Sequence, residues 1–351
     1  MGPVARVGGP GAHVSRQRVA VVGAGSWGTT VAAVAATNAE VRLWARDADL
    51  ATRIDTTHEN DRYLPGIHLP EEVGATNDLA EACANADVVV VGVPSHGFRD
   101  VLASVADRIA DDVPVVSLSK GVEQGSHLRM TQVVAAVLPS HRVDRIGVLT
   151  GPNLAREVAE GQPTASVVAM ADEEASSQLQ QLFMTGTFRV YTNPDVVGCE
   201  IAGALKNVVA IAAGIAAGLG YGDNTKAALI TRGLAELARL GVALGGDPLT
   251  FSGLAGMGDL VATCTSAKSR NRFVGVELGA GRSLDEIVTE MNMVAEGVKS
   301  TAAVLAIAAE LGVEMPIATM VGAVLYEGAR PAELMPSLMV REAKAELHGM
   351  R

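Results

Sequence analysis

Apolar residues fall along the chain in two different rhythms. Up to about residue 195, short near-continuous runs rich in β-branched residues alternate with longer helical stretches. The runs predict strands at Arg18–Val22, Glu40–Trp44, Val88–Val93, Val113–Leu118, Ile146–Leu149, Ala165–Met170 and Phe188–Tyr191. They lack apolar/polar alternation, as expected of parallel strands covered on both faces. Beyond residue 195 the β-branched runs stop. Helical patterns follow at Val196–Leu219, Lys226–Leu244, Leu254–Thr263, from Arg272, and at Gly297–Leu311 and Pro316–Tyr326. Ser283-Leu-Asp-Glu286 has the spacing of a capping box, so a short helix begins there. The order predicts an α/β domain over residues 17–195 and an all-α domain over 196–351, with a ligand cleft between them. Residues 1–16 are Gly/Pro-rich, without the apolar stretch of a secretory signal, and read as a flexible leader.

Composition narrows the function. With 351 residues, 48% hydrophobic and 19% charged, the chain can bury two cores. A formal charge of −11 and only 3% aromatics remove the general case for nucleic-acid binding. Any anionic ligand must then be held by a few local cations and helix N-termini. Three scattered cysteines (Cys83, Cys199, Cys264) make neither a disulfide scaffold nor a closed zinc site, and a reducing cytoplasmic compartment is expected. Ile201–Gly220 is nearly long enough to span a bilayer and contains Gly214-xxx-Gly218. It is mainly Ala and Gly, however, and carries Lys206 and Asn207, so it reads as a buried helix rather than a membrane insertion.

Gly23-Ala-Gly25-Ser26-Trp27-Gly28 lies between the first strand and an Ala-rich helix. In that context each glycine has its own reason: Gly23 for the tight turn, Gly25 for close approach of a pyrophosphate, Gly28 for helix–sheet packing. The N–H groups of Ser26 and Trp27 then face the phosphates. The N-terminal domain is therefore expected to be a Rossmann-type dinucleotide-binding domain. At the end of the second strand, Arg46 stands where an NAD site places its acid. A guanidinium there suits the 2′-phosphate of NADPH; the competing reading leaves Arg46 on the adenine or in solvent and gives the ribose to Asp47. His96, in the loop after the third predicted strand, has no visible partner and reads as structural.

Five further segments complete the pattern: Ser117-Leu-Ser-Lys120-Gly121, Gly151-Pro-Asn153-Leu-Ala155-Arg-Glu157, Gly203-Ala-Leu-Lys206-Asn207, Gly256-Met-Gly-Asp259-Leu and Ser269-Arg270-Asn271-Arg272. With these in this order, the chain over residues 17–340 resembles the bacterial NAD(P)-dependent glycerol-3-phosphate dehydrogenases. The resemblance implies interconversion of dihydroxyacetone phosphate and sn-glycerol 3-phosphate with NADPH or NADH. It also implies a homodimer and a product that feeds phospholipid synthesis.

The residues make chemical sense of that reaction. Ketone reduction needs a hydride donor and a proton donor. Lys206 sits in an otherwise apolar helix, where a lysine is costly unless paired or used, and is assigned as general acid in reduction and general base in oxidation. Gly203, one turn back, leaves room for a ligand on that side. Arg270 and Asn271 offer a bidentate fork and an amide to phosphate oxygens.

The resemblance adds the remaining roles. Asp259 partners Lys206 and meets substrate, Asn207 and Ser269 touch substrate, and Lys120 and Arg270 touch both substrate and cofactor. Gly151 and Asn153 meet substrate, although many relatives carry Ser or Thr at the latter position. Ala155, Val294 and Glu296 contact the cofactor, the last two in a segment closing over the nicotinamide. Thr263, one turn beyond Asp259, is a weaker substrate candidate. No His/Cys/Asp cluster has metal-ligand spacing, and no metal is expected. A β-hydroxyacid or ketopantoate-type reductase would not need the Asp259 and Arg270-Asn271 segments, and a non-catalytic cofactor sensor would not need Lys206 and Asp259.

Overall fold

The computed structural model describes residues 16–291, 295–338 and 340. Its strands are β1 (Arg18–Val22), β2 (Glu40–Trp44), β3 (Val73–Thr76), β4 (Val88–Val91), β5 (Val115–Ser117), β6 (Ile146–Thr150), β7 (Thr164–Ala169) and β8 (Phe188–Asn193). They form one sheet in the order β3-β2-β1-β4-β5-β6-β7-β8. The interspersed helices are α1 (Ser26–Ala36), α2 (Ala48–Thr57), α3 (Leu79–Cys83), α4 (Phe98–Ala103), α5 (Met130–Val137), α6 (Ala155–Ala159) and α7 (Glu173–Phe183). Along β1, Val19 and Val21 enter one core while Ala20 and Val22 enter another on the opposite face. Both sets are buried, which is why the strand shows no alternation.

The sheet departs from the sequence expectation twice. β3 escaped notice because VGAT is a four-residue edge strand with little apolar signal. And β7 pairs antiparallel to β6, Val148 opposite Ala169, while the other neighbouring pairs are parallel. An apolar run reports burial on two faces but not direction. Chain order reverses at β1, which has β2 on one side and β4 on the other. That reversal opens a crevice at the carboxyl ends of these strands.

After β8 the chain is helical: α8 (Val196–Gly218), α9 (Asp223–Ala243), α10 (Asp259–Thr265), α11 (Arg270–Gly279), α12 (Leu284–Glu290), α13 (Glu296–Glu310), α14 (Pro316–Tyr326) and α15 (Pro331–Ser337). α8 is the axis, packed by α9, α10, α11, α13 and α14. It is long and apolar enough to cross a membrane, with mean hydropathy 1.6, but 89% of its most apolar window is buried inside the protein. Gly214 and Gly218 serve a helix crossing: a Cβ on Gly214 would come 2.8 Å from Cα of Gly275, and one on Gly218 2.9 Å from Cα of Gly279. The small-residue stripe that suggested a membrane motif is the seam with α11. The Leu254–Gly258 stretch is a π-helical turn rather than the start of an α-helix, and it delivers Asp259 to the first position of α10.

Candidate active site

The crevice above β1 and β4 is built by absence of side chains. Gly23 has φ +119°, and a Cβ there would lie 2.8 Å from the Gly92 carbonyl oxygen; one on Gly28 would overlap the Gly23 carbonyl. Gly25 is different: a Cβ would meet nothing within 4 Å. It is the N-cap of α1, with no side-chain cap and no acid in the first turn. The N–H groups of Ser26 and Trp27 thus open onto free space at a helix N-terminus, the arrangement a pyrophosphate requires. The Ser26 hydroxyl is turned away, donating to the Tyr63 carbonyl at 2.7 Å. These residues fit a dinucleotide. Arg46 follows β2 and is exposed. The Asp47 carboxylate caps α2 through the N–H groups of Asp49 and Leu50 and pairs with Arg62 at 3.1 Å. That commitment leaves Arg46, not Asp47, as the side chain at the strand end open to a ribose substituent.

The helical half meets this edge through a buried charge cluster. Lys206 is 6% exposed and Asp259 2%. The Lys206 ammonium donates to one oxygen of Asp259 and, at 2.8 Å, to the Thr263 hydroxyl, which in turn donates to the Asp259 carbonyl at 2.6 Å. The second Asp259 oxygen accepts from the Lys120 ammonium at 2.7 Å, and Lys120 also reaches the Gly151 carbonyl at 3.0 Å. One carboxylate therefore serves two ammonium groups, leaving a local excess of positive charge. Burial, with Lys120 adding to it, holds the Lys206 pKa down to about 8, against the pull of Asp259. An amine so poised exchanges its proton near neutrality.

A chain of amides borders the cluster. The Asn207 side chain donates to the Lys120 carbonyl at 3.4 Å and accepts from Asn271 at 2.9 Å. Asn271 in turn accepts from the Gly297 N–H at 2.9 Å, tying the start of α13 to the start of α11. Ser269 is the N-cap of α11, its hydroxyl accepting from the Arg272 N–H at 3.2 Å; Arg270 opens the helix and is exposed. Glu296, half-buried at the first position of α13, has its pKa raised by burial, opposed by Arg270, Lys120 and Lys206, which places it in the field of the same cluster. Asn153 donates to the Ser166 hydroxyl at 2.9 Å while its own oxygen is buried without a partner among the described residues, as is the Thr150 hydroxyl. Ala155 begins α6 and its carbonyl accepts from Thr30 of α1 at 3.2 Å. Val294 lies outside the described residues.

The pieces form two adjoining sites, one for an extended anion-bearing cofactor and one with buried cations. Family profiles match them half by half: the N-terminus of NAD-dependent glycerol-3-phosphate dehydrogenase over residues 18–176, and its C-terminus over 195–336. The chain is 60% identical over 303 residues to glycerol-3-phosphate dehydrogenase [NAD(P)+] 2 of Sphingopyxis alaskensis, covering 86% of this chain and 90% of that one. It is 50% identical over 339 residues to the Mycobacterium avium enzyme, covering 96% and 98%.

The chain belongs to the NAD-dependent glycerol-3-phosphate dehydrogenase family.

Among solved structures, the glycerol-3-phosphate dehydrogenase of Coxiella burnetii superposes with a TM-score of 0.88 at 38% identity, over 93% of this chain and 99% of that one. A ketopantoate reductase from Ralstonia eutropha superposes at 0.56 with 16% identity, a likeness of fold alone. Within this dehydrogenase the structure adds partners at two of the expected positions. A Cβ on Gly203 would lie 3.4 Å from Cγ of Lys120 and 3.5 Å from the Thr150 hydroxyl, ordinary contact distances, so the bare face of this glycine looks onto the Lys120 stem. Thr263, the weaker substrate candidate of the sequence, is a direct partner of Lys206. No group of three or more His, Cys, Asp or Glu among the described residues could hold a metal ion.

Sequence reasoning missed Glu200, buried in the first turns of α8. It accepts from the Arg129 guanidinium at 2.5 Å and from the Thr131 N–H at 3.0 Å, clamping α8 to α5. Its only sequence signal is an acid inside an apolar helix, the same signal that marked Lys206.

Proposed function

We propose that this chain interconverts dihydroxyacetone phosphate and sn-glycerol 3-phosphate with NADPH or NADH, and that Lys206 moves the proton. In this reading residues 17–195 hold the cofactor and 196–351 the substrate. Bound cofactor supplies or takes the hydride at the carbinol carbon. Lys206 donates its proton to the ketone oxygen in reduction and recovers one from the alcohol in oxidation. Asp259 holds that ammonium in place and, by sharing itself with Lys120, keeps the cluster cationic toward an arriving phosphate ester. Arg270 and the second amide hydrogen of Asn271 receive the phosphate oxygens, and Asn207 keeps Asn271 turned toward them. The unpartnered Asn153 oxygen is an acceptor for the substrate, and the Glu296 carboxylate is an acceptor for the nicotinamide amide. The observation that carries the reading is the buried Lys206–Asp259–Lys120 cluster beside an uncapped dinucleotide crevice.

The matching relatives carry the same activity in their names. A homodimer, a cytoplasmic location and supply of the phospholipid glycerol backbone complete the proposal. The test is absorbance of the reduced nicotinamide on addition of dihydroxyacetone phosphate. Turnover supports the assignment. Turnover with unphosphorylated keto acids alone would favour a ketopantoate-type reductase, and cofactor binding with no turnover on either would favour a sensor.

A further inference from the structure

Lys299 belongs to none of the groups discussed so far. It sits on the first turns of α13, in the helical half, and is exposed. Its neighbours place it across the crevice from the end of β2. A Cβ on Gly121 would lie 3.1 Å from the Ser95 hydroxyl and 3.4 Å from that of Ser300, so the loop after β4 and the residue after Lys299 close on the same point. The loop's other side faces Arg46: a Cβ on Gly97 would come 4.0 Å from the Arg46 guanidinium. His96 lies between, exposed on the short 3₁₀ turn Ser95–Gly97. Two cations from opposite halves of the protein thus flank one imidazole, in a chain whose formal charge is −11. Among the described residues neither Lys299 nor Arg46 has a carboxylate within ion-pair distance, whereas nearby Arg62 is taken by Asp47.

We infer that Lys299 is a specificity-determining residue that joins Arg46 in holding the 2′-phosphate of NADPH across the crevice, with the His96 imidazole donating between them. The inference rests on the proposed dinucleotide site and extends it to a residue of the helical half. Two like charges that flank one imidazole with no carboxylate paired to either among the described residues suit a dianion. Partial burial, then Lys299 and Arg46, lower the His96 pKa, so the free imidazole is neutral at pH 7 and can offer an N–H. A dianion docked beside it has the opposite effect and raises that pKa. NADH, with a 2′-hydroxyl in that place, brings no charge to the strand end and gives neither effect. The arrangement also couples the halves: NADPH would tie α13 to the edge of the sheet, where NADH would not.

The experiment compares binding of NADPH and NADH, followed by tryptophan quenching, to the full chain and to Lys299→Ala, Arg46→Ala and the double variant. Lys299→Ala is expected to weaken NADPH about tenfold, the scale of one exposed charge-assisted contact, and NADH by less than threefold. The imidazole resonance of His96, assigned by loss in His96→Gln, is expected to titrate at higher pH with NADP+ bound than with NAD+. If Lys299→Ala shifts both cofactors alike, or neither, while Arg46→Ala remains selective for NADPH, the role of Lys299 is overturned and the 2′-phosphate reading of Arg46 stands. If neither variant is selective although both cofactors bind, that reading falls as well. If neither cofactor binds the unaltered chain, the dinucleotide site itself is wrong.

Discussion

Replacing Asp259 by Asn removes one negative charge and changes almost no volume. In the folded chain that charge faces two ammonium groups, Lys120 at 2.7 Å and Lys206 still closer, and it is 2% exposed. Removing one partner of a buried ion pair costs about 3–5 kcal/mol when the orphaned charge persists. Here a cheaper route exists. Burial has already brought Lys206 to about 8, and Asp259 is the largest influence holding it up. Without that carboxylate, Lys206 sheds its proton, and its pKa drops by a further one to three pH units or about that. In the reduction direction the proton donor must be charged, so activity falls as pH rises through the Lys206 pKa. The assay is kcat/KM for dihydroxyacetone phosphate across pH 5.5–9.5 or thereabouts, which reports the free enzyme. The falling limb near pH 8 should move to lower pH in Asp259→Asn, with the rate at pH 7.5 down by roughly 10²-fold or more. A limb that stays in place or moves upward would refute the electrostatic reasoning.

Three other outcomes are expected. Lys206→Met should not lower Tm at pH 7: a drop from 10.5 to about 8 means that folding works against about 3 kcal/mol to keep this buried amine charged. Because the folded pKa is the lower one, that penalty is full below pH 8 and fades between about 8 and 10.5, so any Tm advantage of the variant should shrink over that range; differential scanning calorimetry decides it. Gly25→Ala should keep its Tm, since φ is −71° and nothing lies near the new methyl, yet lose cofactor affinity about tenfold or more, whereas Gly28→Ala should lose stability outright through overlap with the Gly23 carbonyl. Equal effects of these two alanines in parallel melting and binding measurements would contradict the separate roles given to the glycines. Arg46→Ala should weaken NADPH far more than NADH by equilibrium binding, because Asp47 is engaged in capping α2.

The glycine turn was legible because each of its three glycines answers a different local demand, and all three demands are met within a strand–turn–helix unit. Lys206 was legible for the opposite reason, as a charge in a helix that otherwise reads Ala, Gly, Val and Ile. What the chain does not display locally is pairing at a distance. Asn207 and Asn271 stand 64 positions apart, Lys120 and Asp259 139 apart, and only the packing of α8 against α10, α11 and the sheet brings them together. Gly203 shows the same limit: a helical glycine marks a bare face but not that the Lys120 stem lies across it. The direction of β7 was hidden too, since two-sided burial imposes the same run of apolar residues on parallel and antiparallel strands.

In the proposed mechanism Lys206 protonates the ketone, and chemical rescue tests that most directly. Lys206→Ala should reduce dihydroxyacetone phosphate at roughly 10²–10⁴-fold below the unaltered rate. Small alkylammonium ions, added at rising concentration, should restore turnover in proportion to their protonated form, the more acidic ones acting better at equal occupancy. A Lys206→Ala enzyme that turns over within threefold of the unaltered one with no added amine would contradict it.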